Sequence, residues 1–434
     1  MPRFSTVSLA IVLCVCTVAS ASALLPAAKN GVLRVPLKGN PNAHRANVAQ
    51  MAARRMTVEG VRRLREDLEV PLPLNGTYIP LSSSFYVPQY AFPISAGTPP
   101  KVYHVVPDSG SNYVGLAGDI TQQGFRNKAH TYDPSSSSSY EPDTSLKGLI
   151  DLQYGGGGLI GPGAYETFGV AGMTAKDQGF IQVEHVSGTS FIGPGVYWEG
   201  IWGLCFQGLY RNATQRTGGA YFKPMLQTLF EQKELAAPTF GFYLASDPAS
   251  ADSGEIQFGA PDETRFTGDL HYVDILPTYP TENTTMTQYG FWLHSVDGVS
   301  IDGRNITVCE TNSCIGFVDT GGPLLNVPLQ VAAALIPYVH INANCSGLDL
   351  NPTLSLNLNG KEFPLTPEDY VYKLTDPTTG VTTCELGINV LPGANNFMFQ
   401  IGDTFLRKYY AYFVAGDKAW LDNPRIGFAT AVHN

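Results

Sequence analysis

Two short stretches of this sequence share one pattern: an apolar run that ends in Asp, followed by a small hydroxyl residue and Gly. They lie at 105–111 and 317–322, and their acids, Asp108 and Asp319, are 211 positions apart. Each apolar run predicts a buried strand that carries its Asp into the interior, and each Gly permits a sharp turn. Two such turns indicate two similar lobes that each supply one carboxylate. Because two neighbouring carboxylates cannot both ionise cheaply, we expect the pair to share a proton.

A third triplet of this kind, at 252–254, has no apolar strand before it, and we interpret it as the entry to a hairpin. Asp-Ser-Gly alone is a common turn and says little about catalysis. The hypothesis of an acid pair therefore depends on the surroundings of Asp108 and Asp319.

Composition favours a mostly β protein of two lobes. The chain has 434 residues, 44% hydrophobic and 15% charged, which is enough for a large core. It contains 45 Gly and 31 Pro and few long helical patterns, as expected of strands joined by many turns. The clearest predicted helices are 224–235, which has Pro at its start, and 328–339.

Residues 1–23 are predicted to be a secretory signal peptide, with a basic Arg3, an apolar run at 7–18 and small residues at 19–23. The apolar run is too short for a membrane span, which takes about 20 residues. We therefore expect an exported protein without a membrane anchor, outside the cell or in a lysosome or vacuole. Five Asn-x-Ser/Thr sequons fit an exported surface. They are Asn75, Asn212, Asn283, Asn305 and Asn344.

Five cysteines remain after the signal peptide. Cys309 and Cys314 are close enough to close a small loop, and Cys345 with Cys384 would close a longer one. Cys205 lies in an apolar stretch and is predicted to be a buried free thiol. No Cys-x-x-Cys or His pairing accompanies them, so we expect no metal site.

Residues 24–80 differ in charge from the rest of the chain. They hold nine Lys and Arg against four acidic residues, a net charge of +5. Removing them and Arg3 from the total of −10 leaves −16 for the remainder, so we expect the basic arm to lie on the acidic body. Within the arm, 46–68 is a predicted helix. The arm is interpreted as a removable inhibitory prosegment or as a disordered basic tail, and a body this acidic argues against nucleic-acid binding.

Two predicted strands flank the glycines at 155–158 and form a mobile hairpin with Tyr154 at its shoulder. A phosphate-binding loop is the alternative, but neither Lys-Ser/Thr nor a helix follows the glycines. A further buried strand is predicted at 199–204.

Over about residues 85–434, the motifs and their order along the chain resemble those of the pepsin family of aspartic proteases. Segment 94–100 resembles the family's first-strand turn, and 108–111 and 319–321 resemble its two catalytic loops. Segment 152–157 resembles its flap, and 200–203 and 401–403 resemble the segments that cross behind the loops. The pairs Cys309/Cys314 and Cys345/Cys384 resemble two of its disulfides.

The resemblance implies a mainly β, bilobal pepsin-like acid protease fold, with two β-barrel-like lobes and a central cleft. The N-terminal lobe would be 81–267, with Asp108 and the flap, and the C-terminal lobe would be 268–434, with Asp319. The implied activity is hydrolysis of peptide bonds at acidic pH by a water that the two acids activate, without metal or cofactor. The implied substrate-binding residues are Gly110, Ser111, Tyr154, Gly155, Gly156, Ile201, Gly321 and Gly322. A monomer that binds peptide or protein substrates and pepstatin-like inhibitors would follow.

Four positions depart from the family pattern. Pro107 removes a backbone donor before the first Asp, and Gly322 stands where the family has a hydroxyl residue. We therefore predict that the outer oxygen of Asp319 lacks a hydrogen bond of about 1.5–3 kcal/mol. Gly115 replaces a Trp behind the flap and Gly156 a polar residue at its tip, which predicts a looser flap.

These departures motivate an alternative hypothesis, a catalytically impaired peptide-binding homologue on the same fold. The prosegment adds a further departure, because no Lys, Arg or His lies between Arg65 and Lys101 to reach the acid pair.

Overall fold

The structure, a computed structural model, describes most of the chain after residue 89 and one short stretch before it. The described residues are 32–39, 90–119, 131–146, 148–154, 157–188, 199–210, 222–246, 254–278, 288–306, 308–311, 313–335, 337–375, 379–390 and 397–433. Several predictions fall outside them: the signal peptide, the 46–68 helix, Gly155, Gly156, Asp252, Ser253, Asn75, Asn212 and Asn283. The described part contains no helix long and apolar enough to cross a bilayer.

Strands account for most of the regular structure. The first fourteen are β1 Val32–Pro36, β2 Lys38–Gly39, β3 Tyr90–Ala96, β4 Lys101–Asp108, β5 Val114–Ala117, β6 Glu141–Pro142, β7 Ile150–Tyr154, β8 Gly157–Gly161, β9 Gly163–Val170, β10 Met173–Val183, β11 His185–Gly188, β12 Gly200–Gly203, β13 Thr239–Leu244 and β14 Gly254–Gly259. The others are β15 Phe266–Asp274, β16 Leu293–Val296, β17 Gly298–Ile301, β18 Arg304–Ile306, β19 Cys314–Val318, β20 Leu325–Val327, β21 Leu354–Leu358, β22 Lys361–Leu365, β23 Val371–Thr375, β24 Thr382–Leu386, β25 Ile388–Val390, β26 Met398–Ile401, β27 Tyr409–Val414 and β28 Arg425–Ala431.

The helices are short. They are α1 Met225–Glu231, α2 Val308–Thr311, α3 Leu329–Leu335, α4 Pro367–Tyr370 and α5 Asp403–Leu406, with 3₁₀ turns at Pro134–Ser136, Gln207–Tyr210 and Leu348–Leu350. Both predicted helices exist, but the predicted ends were wrong. The first stops at Glu231, and the left-handed φ of 65° at Lys233 prevents its continuation. The second stops at Leu335.

The N-terminal lobe is built on a closed ring of strands. Its first strand, β3, alternates buried residues with partly exposed ones, as a strand with one face on the core does. The sheet runs β2-β3-β4-β12-β5-β10-β9-β6, and β3 also pairs with β9, which closes a six-stranded ring. All four residues of β12 are buried between β4 and β5, which accounts for its continuous apolar pattern.

The C-terminal lobe repeats the central arrangement of the first. In the N-terminal lobe β12 lies parallel to β4 and antiparallel to β5. In the C-terminal lobe β26 lies parallel to β19 and antiparallel to β20, within the sheet β16-β19-β26-β20-β25. A second sheet, β18-β17-β21-β22, accompanies it. The predicted mainly β, bilobal fold is confirmed.

A six-stranded sheet, β1-β14-β13-β27-β28-β15, joins strands from both halves of the chain. β15 spans the predicted lobe boundary between residues 267 and 268 and pairs with β28, so that boundary stays a prediction.

The edge of this sheet is formed by β1, which belongs to the predicted basic arm. Val35 and Leu37 are buried, and Arg34 Nη2 lies 2.5 Å from Asp262 Oδ2 and Arg34 Nε lies 3.9 Å from Glu255 Oε1. For residues 32–39, the prediction that the basic arm lies on the acidic body is therefore confirmed.

The cysteine predictions are also confirmed. Cys309 bonds to Cys314 and Cys345 bonds to Cys384, while Cys205 is a buried free thiol.

His294 in β16 is a buried imidazole with incomplete hydrogen bonding. Its Nδ1 lies 2.9 Å from the carbonyl oxygen of Ser295, and its Nε2 has no partner among the described residues. Burial lowers the pKa of His294 from 6.5 to about 4. The unfolded chain therefore binds a proton below pH 6.5 that the folded protein accepts only near pH 4. The free energy of unfolding therefore falls by about 3 kcal/mol in total as the pH decreases from 6.5 to 4.

We expect His294→Phe to remove this acid sensitivity, because an apolar ring beside Phe428 has no proton to bind. Urea unfolding at pH 7 and pH 4 measures the effect. The free energy of unfolding of the unaltered protein should fall by about 3 kcal/mol more than that of the variant. Equal falls in both proteins would contradict this assignment.

Candidate active site

The two predicted acids meet where the lobes face each other. Asp108 is the last residue of β4 and Asp319 follows β19, so a buried strand carries each into the interior. Gly110 N–H donates to Asp108 Oδ1 at 2.8 Å, and Gly321 N–H donates to Asp319 Oδ1 at 3.0 Å. The two carboxyl groups, which we call the acid pair, lie close enough that each shifts the pKa of the other.

Glycine is required beside each acid. A Cβ atom on Gly110 would lie 2.6 Å from Asp319 Oδ1, and one on Gly321 would lie 2.6 Å from Asp108 Oδ1. Real Cβ atoms do not approach oxygen this closely, so the backbone of each loop touches the acid of the other only because both residues are Gly.

Ser109 and Thr320 lock the two loops together across the lobes. Ser109 N–H donates to Thr320 Oγ1 and Thr320 N–H donates to Ser109 Oγ, each at 2.9 Å. Ser109 Oγ donates to the carbonyl oxygen of Val318, and Thr320 Oγ1 donates to that of Pro107, each at 2.8 Å. Each hydroxyl thus accepts one bond and donates one. We call this set of four bonds the interlobe lock.

The lock also accounts for Pro107. It uses only the carbonyl of that residue, which proline keeps, and not the N–H that proline lacks.

The outer oxygens of the acid pair have different partners. Ser111 Oγ donates to Asp108 Oδ2, three residues along the same loop. Gln400 Nε2, from β26, donates to Asp319 Oδ2. The prediction that Asp319 lacks an outer partner was therefore wrong. Asn326 Nδ2 donates to Gln400 Oε1 at 2.7 Å and so orients the amide.

Burial dominates the electrostatics of the pair. It raises the pKa of Asp108 well above its ordinary value, and the charge of Asp319 raises it further, against hydrogen bonds from Ser111 and Gly110. Burial also raises the pKa of Asp319, against the hydrogen bonds of Gln400, Asp108 and the loop N–H groups. The pair therefore keeps a proton at a pH where an isolated Asp has lost it.

Two further groups lie behind the pair, and neither was predicted to belong to the site. Asp403 in α5 is buried, and burial raises its pKa well above the ordinary value, although Arg407 lowers it. The Cys205 thiol donates to the carbonyl oxygen of Ser109 at 2.6 Å, and burial keeps it a thiol by raising its pKa.

The predicted flap is a three-stranded sheet, β11-β8-β7. Tyr154 pairs with Gly157 at the end of the hairpin and is half-buried against an apolar cluster that includes Leu152, Leu159 and Ile201. Its tip, Gly155 and Gly156, lies outside the described residues.

Apolar side chains surround Gly115 beneath the flap. A Cβ atom there would lie 3.4 Å from Ile201 Cγ2, 3.6 Å from Val183 Cγ2 and 3.9 Å from Leu159 Cδ1. Ile201 lies in β12, opposite Gly115 in β5. These side chains occupy the surroundings of Gly115, and a looser flap stays a prediction, as do the substrate contacts of Tyr154 and Ile201.

A signal for Gln400 was present in the sequence. It is a polar residue directly before Ile401 and Gly402, in a segment predicted to cross behind the second catalytic loop. Since β26 lies parallel to β19, with Gln400 opposite Phe317, its side chain comes near the loop that β19 delivers.

The sequence matches the model of the eukaryotic aspartyl protease family over residues 89–431. The chain belongs to the eukaryotic aspartyl protease family. It is an aspartic-type endopeptidase, a hydrolase whose substrates are peptides or proteins.

Individual relatives of this aspartyl protease cover most of its length. Gastricsin from Mus musculus is 32% identical over 347 residues, which are 78% of this chain and 80% of that protein. Cathepsin D from Dictyostelium discoideum is 29% identical over 371 residues, or 82% of this chain and 87% of the relative. Cathepsin E from Aquarana catesbeiana is 30% identical over 351 residues, covering 79% and 80%.

Proposed function

We propose that this aspartyl protease hydrolyses peptide bonds at acidic pH through a water molecule activated by Asp108 and Asp319. The observation that supports this most strongly is the acid pair itself, two buried carboxyl groups that each lie against the glycine of the other loop and are held by the interlobe lock. Gln400 supports an active enzyme over the impaired homologue, because it supplies the bond to Asp319 whose expected loss was one of the reasons for that alternative.

The proposed reaction needs one ionised and one protonated carboxyl group. The ionised group takes a proton from water, and the resulting hydroxide oxygen bonds to the peptide carbonyl carbon. The protonated group gives its proton to the carbonyl oxygen, which yields a neutral tetrahedral diol. The group that took the proton from water then gives it to the nitrogen as the carbon–nitrogen bond breaks. The other group takes a proton back from a hydroxyl of the diol, which leaves a carboxylic acid, an amine and the pair with its one proton.

Acid dependence follows from the same requirement. Burial raises the pKa values of both acids, and the charge of Asp319 raises that of Asp108 further, so the pair keeps its one proton at a pH where an isolated Asp has lost it. Activity is lost as the pH rises and the second carboxyl group ionises, and also at low pH, when both are protonated.

We further propose that the enzyme is made as a zymogen and exported. Residues 1–23 would be removed as a signal peptide and 24–80 as a prosegment, which acid would release from the acidic body that Arg34 contacts. The mature enzyme would act as a monomer, outside the cell or in a lysosome or vacuole. The roles of Gly110, Ser111, Gly321 and Gly322 as substrate contacts belong to the same proposal.

The test is casein digestion by the full-length protein after acid treatment, between about pH 3 and 5, with and without pepstatin. We expect cleavage that falls to zero when pepstatin matches the enzyme concentration. A serine-protease inhibitor serves as the control and should have no effect. Cleavage that pepstatin does not reduce would contradict the mechanism, and pepstatin binding without any cleavage would favour the impaired homologue.

A further inference from the structure

We propose that Gln400 is a positioning residue of the acid pair, whose amide does the work of a hydroxyl missing from the second catalytic loop. We also propose that residue 322 is glycine because the amide needs its space. The inference rests on the proposed function, since it assigns a role within that reaction.

The first argument is the near-symmetry of the pair. Both inner oxygens accept from a loop glycine, Gly110 for Asp108 and Gly321 for Asp319. The outer oxygen of Asp108 accepts from the residue three positions later, Ser111. The residue three positions after Asp319 is Gly322, which has no side chain to donate. Its place is taken by Gln400, 81 positions after Asp319.

The second argument is steric exclusion. A Cβ atom on Gly322 would lie 2.8 Å from Asp319 Oδ2 and 2.8 Å from Gln400 Nε2. Contacts below 3.0 Å are not made by real Cβ atoms, so a side chain at 322 and the present position of the amide exclude each other. Gly322 and Gln400 therefore act together as an alternative to a hydroxyl residue at 322. Neither residue can be replaced without changing the other.

The third argument is that the amide is fixed from behind. Asn326 lies opposite Gln400 where β20 pairs with β26, and its Nδ2 donates to Gln400 Oε1 at 2.7 Å. This bond turns the oxygen of the amide away from Asp319 and its N–H toward Asp319. A chain of two amides thus ends on the acid pair.

The replacement changes the chemistry, because an amide N–H only donates whereas a hydroxyl can also accept. Asp319 Oδ2 is therefore held as an acceptor, and the shared proton is confined to the other oxygens of the pair. Ser111 can accept as well as donate, so Asp108 Oδ2 is free of this restriction. The arrangement favours Asp319 as the ionised group and Asp108 as the proton donor.

The hydrogen bond from Gln400 has an important electrostatic effect on Asp319, because few cationic groups lie near that acid among the described residues. Asp108 and Asp403 are acids, Cys205 is a thiol, and Arg407 acts on Asp403. Burial raises the pKa of Asp319, and the hydrogen bond from Gln400 is the largest contribution that lowers it. Without it the pair becomes harder to ionise.

We therefore test Gln400→Val, which keeps a strand-forming residue and removes the donor. We expect kcat to fall about ten- to a hundred-fold, the loss that follows from one hydrogen bond to a charged group. KM should change little, and the acidic limb of the pH profile should move to higher pH. Asn326 does not touch the pair, so Asn326→Leu should also lower kcat and move the acidic limb to higher pH, but by less than Gln400→Val does.

Rescue separates this role from a structural one. Gly322→Ser alone should impair the enzyme, because its Cβ atom collides with the amide. Gly322→Ser combined with Gln400→Val should restore kcat and the acidic limb to within a few-fold, once the end of the Asp319 side chain shifts from the new Cβ atom. The new hydroxyl then donates to Asp319 Oδ2 as that of Ser111 does to Asp108 Oδ2. The control is Gln182→Val, the same exchange at a half-buried strand position in β10, with expected wild-type kinetics.

Rates are expressed per active site, counted by pepstatin titration, so that misfolded protein does not enter. Unchanged kcat and pH profile in Gln400→Val would overturn the inference. A fall in kcat with an unmoved acidic limb and no rescue by Gly322→Ser would overturn it too, as a structural effect only. If the unaltered enzyme shows no pepstatin-sensitive cleavage, the proposed function fails first and the inference with it.

Discussion

Replacing Asp108 or Asp319 with Asn is expected to lower kcat/KM for peptide hydrolysis by about 10⁴-fold, the upper end of the range attributed to general acid–base catalysis. Asn has the shape of Asp but can neither take a proton from water nor give one to the carbonyl oxygen. Because the two acids act on one proton, we expect either replacement alone to cost nearly as much as both together.

Casein cleavage between about pH 3 and 5 measures this loss, and thermal unfolding verifies that each variant is folded. Asp262→Asn is the matched control, since Asp262 is buried as deeply but pairs with Arg34, away from the acid pair. The control should cleave casein at the normal rate. Substantial cleavage by either Asp108→Asn or Asp319→Asn would refute the proposed mechanism.

Thr320→Val is expected to have the largest effect on stability. The new methyl group leaves Ser109 N–H without an acceptor and the Pro107 carbonyl without a donor. Each buried group left unpaired costs about 1–3 kcal/mol, so we expect about 2–6 kcal/mol in the free energy of unfolding. Since the same bonds set the relative position of the two acids, kcat should also fall by at least about ten-fold.

Urea unfolding and active-site titration separate the two effects. Thr239→Val is the control: Thr239 Oγ1 donates to the carbonyl oxygen of Gly259 at 2.9 Å, in the six-stranded sheet. It should lose about 1 kcal/mol and keep its kcat. Ser109→Ala removes the other two bonds of the lock. Adding it to Thr320→Val should cost less than the sum of the single changes, because the two loops are already released from each other when half of the lock is lost. Full additivity would show that the lock is not one unit.

The parts of the site that could be predicted from sequence are those that depend on residues close together in the chain. An apolar run, an Asp and a Gly within six positions contain the strand, the acid and the close approach, so Asp108 and Asp319 were identified together. Disulfide pairing between Cys309 and Cys314 was likewise a matter of short separation. The charge of the N-terminal arm predicted its contact with the acidic body, but not that Arg34 would lie on an edge strand.

The position of Gln400 before Ile401 and Gly402 was a signal that it lies near the second loop, but its bond to Asp319 could not be assigned, because that partner is 81 residues earlier in the chain. Comparing Gly322 with a motif showed that a hydroxyl was absent, and the error was to conclude that its bond was absent too. The substitute depends on the register between β26 and its neighbours β19 and β20, which residue patterns do not specify. A neighbouring strand can therefore supply a hydrogen-bond donor that a loop motif lacks.

Asp403 gives the acid pair a consequence beyond catalysis. Three carboxyl groups, those of Asp108, Asp319 and Asp403, are buried with pKa values above those of the unfolded chain. Since the native state holds protons that the unfolded chain releases, each group stabilises the fold in acid and ceases to do so as the pH rises through its folded pKa. An enzyme transferred from acidic to neutral solution therefore loses this contribution to its stability. Melting temperatures measured over a series of pH values would show the loss.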